Sequence, residues 1–155
     1  MKTARWIAAG AGLAVVGAAA AYAQYRQTEE PDFAVVREDG DFELRDYPAL
    51  VVAEVSHAGS RERASGASFR RLAAYIFAQD RPEGGEKIAM TAPVGQTPDG
   101  SGAWRIQFIM PSQYTLDTLP VPKDPSVRLV ALEPETYAVL RFSGSTSDKA
   151  VSEQK

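Results

Sequence analysis

The sequence predicts an α+β domain, and three observations carry that expectation. Residues 103–111, AWRIQFIMP, place Trp104, Ile106, Phe108 and Met110 on one side and Arg105 and Gln107 on the other, the period-two pattern of a strand. Phe69, Leu72, Ala73, Ile76 and Phe77 fall at i, i+3, i+4, i+7 and i+8, one apolar face of a helix. The elements also come in a telling order: hairpin, strand, helix, strand, strand, then strand, strand and the start of a helix. A second unit resembling the first is expected to be cut off partway.

Each element has its own local reason. In the first hairpin, FAVVRE and DFELRDY flank Asp39-Gly40, which supplies the positive φ of a type I′ turn. Phe42 and Leu44 alternate with Glu43 and Arg45, the pattern of a half-buried strand, and Pro48 ends it. LVVAEVSH (50–57) reads as a well-covered strand. Gly59 and Ser60 open the helix, and Pro82, Gly84 and Gly85 are expected to stop it. Lys87 to Val94 reads as a short strand broken at Pro93, and PDGSG (98–102) as a turn. Pro120, Pro122 and Pro125 exclude a central strand from 112–126. VRLVALEP (127–134) and YAVLRFSG (137–144) read as two strands paired through a short Pro-containing turn. Ser145 or Thr146 then caps a helix with Asp148 in its first turn.

The N-terminal segment points to export. Lys2 and Arg5 precede an uncharged Ala/Gly/Val-rich run from Trp6 to Ala21, and Ala21-Tyr22-Ala23 has the small-x-small form that signal peptidase cuts. Two fates stay open for residues 1–23, a cleaved signal peptide or a retained anchor. Trp6 to Tyr25 is 20 residues, about the span of a bilayer, and its terminal aromatic residues suit membrane interfaces. Residues 6–25 are thus a candidate membrane tether. Either fate exports the remainder, to the periplasm or to the periplasmic face of the inner membrane. Residues 24–32, QYRQTEEPD, form a polar linker, and 33–155 the domain.

Composition narrows the function. Without Lys2 and Arg5, residues 24–155 hold 15 basic against 20 acidic residues, a net charge of −5. That balance argues against a nucleic-acid partner, which needs a basic surface. The chain has no Cys and no Asn, hence no disulfide framework, no thiolate metal site and no N-glycosylation sequon.

Few residues suggest chemistry. His57 is the one His, and a lone His at a strand end is more often a surface or hydrogen-bonded residue than a ligand. No G-x-S-x-G elbow, P-loop or dinucleotide fingerprint occurs, and no spacing singles out a carboxylate pair. Arg61, Arg63, Arg70 and Arg71 cluster on the helix. Their plain reading is a solvated face; the sharper one is a set of guanidinium forks suited to carboxylates on a flat ligand. Met90 and Met110 are core residues by default, or soft thioethers beside an iron or a flat ring.

Five segments carry a resemblance, in order: FELRDYPALVVAEV, SFRRLAAYIFA, EKIAMTAPV (86–94), WRIQFIMPSQYTLDTLPVPKDPSVRL and YAVLRFSG. Together, over residues 33–149, they closely resemble the SOUL haem-binding family. The resemblance implies a distorted antiparallel β-barrel of two repeated sheet-plus-helix halves, the second truncated here. It also implies non-catalytic binding of haem or a related tetrapyrrole beside the first helix. On that reading Phe69, Leu72, Ala73 and Ile76 form an apolar floor, Arg70, Arg71 and Lys87 meet the propionates, and Met90 lies nearby. Some members place a His after the Arg of the early strand as an iron ligand; Asp46 stands there in this chain, so no metal ligand is assigned. The expected role is haem buffering or transport outside the cytoplasm. The alternative is an effector-binding module for another apolar small molecule, since fold does not fix ligand. An enzyme acting on haem has no residue set behind it.

Overall fold

The computed structural model describes residues 28–80, 85–141 and Lys149. The export segment at 1–23 and the helix expected from Ser145 or Thr146 lie outside the described residues. Among those residues, no helix is long and apolar enough to cross a membrane.

Seven strands and one helix follow one another: β1 (Ala34–Asp39), β2 (Phe42–Tyr47), β3 (Leu50–Ala58), α1 (Arg61–Ile76), β4 (Val94–Pro98), β5 (Ala103–Ile109), β6 (Arg128–Leu132) and β7 (Glu135–Leu140). All pairings between strands are antiparallel, in a three-stranded sheet of order β1-β2-β7 and a four-stranded sheet of order β4-β5-β3-β6. The α+β class stands, with the described strands in two antiparallel sheets.

One face of the four-stranded sheet carries α1. Ala53 and Val55 of β3 stand beside Phe108 and Ile106 of β5 and pack with Leu72, Tyr75, Ile76 and Ile88 in the core. The period-two side of β5 expected from its sequence is the side that is buried. The 112–126 segment closes the far end as an irregular loop, held by the Tyr75 hydroxyl, which donates to the Pro120 carbonyl at 2.7 Å. Leu119 joins the core from it, and Val127 from just beyond its end.

Strands β6 and β7 do not pair with each other, contrary to the expected hairpin. β6 pairs with β3 and β7 with β2. The reason is a single long ladder. Pairing runs from Phe42–Leu140 to Tyr47–Glu135, and resumes from Leu50–Leu132 to Glu54–Arg128 in the same register. That register places Pro48 opposite Pro134, and neither has an N–H for the ladder.

Four local expectations are also corrected. The hairpin loop is Gly40–Asp41, since Asp39 pairs with Phe42; Gly40 alone there has positive φ (62°), the requirement of a type II′ turn rather than a type I′ one. In β2, Phe42 is exposed, while Glu43 and Arg45 are the more covered pair because Arg45 Nε donates to Glu43 at 2.7 Å and its guanidinium lies 4.1 Å from the Phe33 ring centroid. The helix ends at Ile76, ahead of Pro82. Ala78 adopts φ 59°, and Gln79 N–H to Ala74 O with Ala78 N–H to Tyr75 O is the Schellman pattern. Finally, 85–90 is irregular and β4 begins only at Val94.

Candidate functional site

The site is built outward from α1. Ser60 caps the helix by accepting the Arg63 N–H, and Ala64, Ser68, Leu72, Tyr75 and Ile76 form its buried stripe. Leu72 and Ile76, at 0% and 1% exposure, therefore face the sheet and support the helix from beneath. Phe69 stands at the edge of that stripe, its ring edge-to-face with Phe108 at 5.1 Å and 39% exposed. Ala73 and Phe77 follow at four-residue steps, so Phe69, Ala73 and Phe77 share one strip of helix surface. Phe77 is also exposed.

The neighbouring strip of α1 borders a cleft of about 450 Å³ lined by His57, Ala67, Arg70, Arg71, Ala74, Asp80 and Asp124. Ala67 and Ala74 keep the wall low between the two arginines. The arginines are not equivalent. Arg71 donates to the Ser126 hydroxyl at 2.7 Å and lies 4.0 Å from Asp124. Arg70 has no hydrogen-bond or ion-pair partner among the described residues.

The acids of the cleft are engaged. Hydrogen bonds from the hydroxyl and N–H of Ser126 hold the Asp124 carboxyl below its ordinary range, with the Arg71 charge adding to them. One Asp80 oxygen accepts the Lys123 N–H. His57 Nδ1 lies 2.7 Å from the Ala58 carbonyl. A carbonyl only accepts, so Nδ1 carries a proton, and in the neutral ring Nε2 is the nitrogen with the lone pair.

The structure thus brings Arg70 and Arg71 together with His57. Lys87 and Met90 are exposed on the segment that leaves the helix, on either side of buried Ile88. That residue is pinned by its N–H to the Ile76 carbonyl at 2.8 Å. Glu86 accepts the Tyr114 hydroxyl and Thr91 donates to the Ile109 carbonyl. The EKIAMTAPV segment is therefore a strap tying the helix end to the sheet, with Lys87 and Met90 turned outward. His57 is hydrogen-bonded at its strand end, as the plain reading of a lone His expected, and its odd-numbered place after Ala53 and Val55 puts it on the helix-covered face, where it lines the cleft. Phe77 was legible as part of the helix face, though not as an exposed one.

The helix side of the sheet thus carries a cleft in which two arginines meet two aspartates, beside an exposed aromatic strip. Among the described residues no group of three or more His, Cys, Asp or Glu side chains is placed to hold a metal ion. Residues 28–155 match the family model described as SOUL heme-binding protein. The chain belongs to that family, which is generally non-catalytic and haem-binding. No curated protein matched the chain.

Proposed function

We propose that the chain binds haem or a related tetrapyrrole without chemical turnover, for buffering or transport outside the cytoplasm. The observation that carries this reading is the unpartnered Arg70 guanidinium, set between a cleft and an exposed aromatic strip on one helix. A tetrapyrrole needs an apolar surface for its ring and cations for its propionates. Phe69, Ala73 and Phe77 supply the surface, with Leu72 and Ile76 packed beneath. Arg70 is the primary propionate partner, since its fork is free for bidentate contact. Arg71 joins it by leaving Ser126, and Lys87 and Met90 are the outlying contacts.

The donor set also fits an iron-bearing ring. With Nδ1 donating to Ala58, His57 Nε2 is the imidazole donor of this cleft, the arrangement in which a second hydrogen bond fixes a ligand's tautomer. When bound, haem would supply the redox and ligand-binding chemistry of its iron. The protein's own residues bind, orient and cover it. Residues 1–23 direct export, as a cleaved leader or as an anchor, and place the domain in the periplasm or at the membrane facing it.

Haemin titration of the purified protein, followed by the Soret band, tests the reading. A saturable shift at about one ring per chain is expected. A folded protein with no saturable shift would overturn it.

A further inference from the structure

The opposite face of the four-stranded sheet carries a second cavity, about 290 Å³ in volume. Residues from six strands meet there, on the side away from the helix. Leu50, Val52 and Ile109 line it from the four-stranded sheet, and Tyr47 and Tyr137 from the three-stranded one. The tyrosine rings pack edge to face at 5.7 Å. Thr97 on β4 and Val139 on β7 share the cavity although β4 and β7 belong to different sheets. The three-stranded sheet therefore folds over the other, across the break at Pro48 and Pro134.

Three features specify an occupant. Charged residues make up 24% of the chain, yet no Asp, Glu, Lys, Arg or His lines this cleft. The buried carboxylate of β3, Glu54, is taken up by Arg128, by Gln107 at 2.9 Å and by Arg105 at 3.7 Å. The Glu43–Arg45 pair, across from Val139 and Tyr137, is likewise closed on itself at 2.7 Å, so a charged ligand would have to break an existing ion pair to find a counter-ion. Second, Gln107 spends its Nε2 on Glu54, which leaves Oε1 as an acceptor beside Gly95. Third, Gly95 stands opposite Gln107, and a Cβ there would come within 3.2 Å of Gln107 Oε1. The glycine keeps both the cleft and that acceptor open.

We propose that this cleft binds a small uncharged aromatic molecule of one or two fused rings bearing an N–H or O–H donor. The rings lie against Tyr47 and Tyr137, whose faces and edges favour aromatic partners, and the donor reaches Gln107 Oε1. The volume sits at the lower end of small-molecule pockets, about 300 Å³, too small for a tetrapyrrole with its propionates. The site is separate from the α1 cleft and does not depend on haem binding there.

Fluorescence titration of the full chain with 1-naphthylamine, a neutral aromatic amine of two fused rings, tests this. Saturable, blue-shifted emission at one site per chain is expected. Gly95→Val fills the cleft and should weaken binding about tenfold or more. Tyr137→Ala, at a half-exposed position that tolerates truncation, should weaken it about fivefold with the circular dichroism spectrum unchanged. Arg70→Glu with Arg71→Glu should leave it untouched. The proposal is overturned by the absence of saturable binding, by folded Tyr137→Ala protein binding as well as the parent, or by loss of the signal in the arginine variant, which would put the probe in the α1 cleft.

Discussion

Pro48 and Pro134 face each other at the one gap in an otherwise continuous ladder, between Tyr47–Glu135 and Leu50–Leu132. Two opposed residues without N–H groups interrupt the hydrogen bonding without shifting the register. That lets one antiparallel pair of strands serve two sheets. The bend is what folds the three-stranded sheet over the four-stranded one and encloses the interior cleft.

A continuous register makes length at the bend critical. Deleting Ala49 would move every side chain on one side of the gap to the opposite face, turning Val52 outward or Tyr47 away from Tyr137. Loss of a cooperative urea transition is expected for that deletion. Deleting Ser101, in the exposed 99–102 turn, should leave the transition in place with a stability change of about 1 kcal/mol.

Ala78 closes the helix in a conformation that favours glycine. An Ala at φ 59° carries a steric cost of about 1 kcal/mol that glycine lacks. Ala78→Gly should raise stability by about 0.5–1 kcal/mol in denaturant unfolding. A loss of stability would mean that the Ala methyl packs well enough to offset the strain.

Glu54 ties stability to acid pH. Burial pushes its carboxyl up, but the hydrogen bonds from Arg128 and Gln107 and the Arg105 charge outweigh this and hold it below 4.5. A carboxyl lowered on folding stabilises above its unfolded value and loses that share as pH falls through the folded one. Unfolding followed from pH 7 to pH 3 should show stability falling below about pH 4.5. Glu54→Gln should cost about 1–3 kcal/mol at pH 7 and flatten the profile. The cost is moderate because Arg128, at 67% side-chain exposure, regains water.

Buried and exposed residues of α1 should separate in their effects. Leu72→Ala should cost about 2–5 kcal/mol, since it opens a cavity under the helix. Phe69→Ala should cost less, because the ring is 39% exposed, while weakening haemin binding. Equal losses of stability would place Phe69 in the core rather than on a ligand surface.

Local order was legible in the sequence where it depended on local pattern. The Trp104-to-Met110 alternation marked a strand and its buried side, and the Phe69-to-Phe77 spacing marked the helix. Pairing was not legible. The Pro-containing stretch at 133–134 looks like a hairpin turn, and only Arg128 meeting Glu54, far back in the chain, shows that the strand continues through it. In β2, the alternation of Phe42 and Leu44 with Glu43 and Arg45 fixed two faces but not which is covered; the Arg45 stack on Phe33 decided that. The arginines of the site were legible as types and positions, but their inequality was not, because Ser126 and Asp124 come from a distant loop. The interior cleft left no motif, since Tyr47, Gly95, Gln107 and Tyr137 meet only after the sheet bends.

The most direct measurement is a haemin titration of the parent protein beside Arg70→Glu with Arg71→Glu, read by the Soret band, with circular dichroism on the same samples. The account expects saturation at about one ring per chain, weakened about tenfold or more in the variant while both proteins stay folded. A folded parent protein with no saturable Soret shift, or equal affinity in the two proteins, would contradict it.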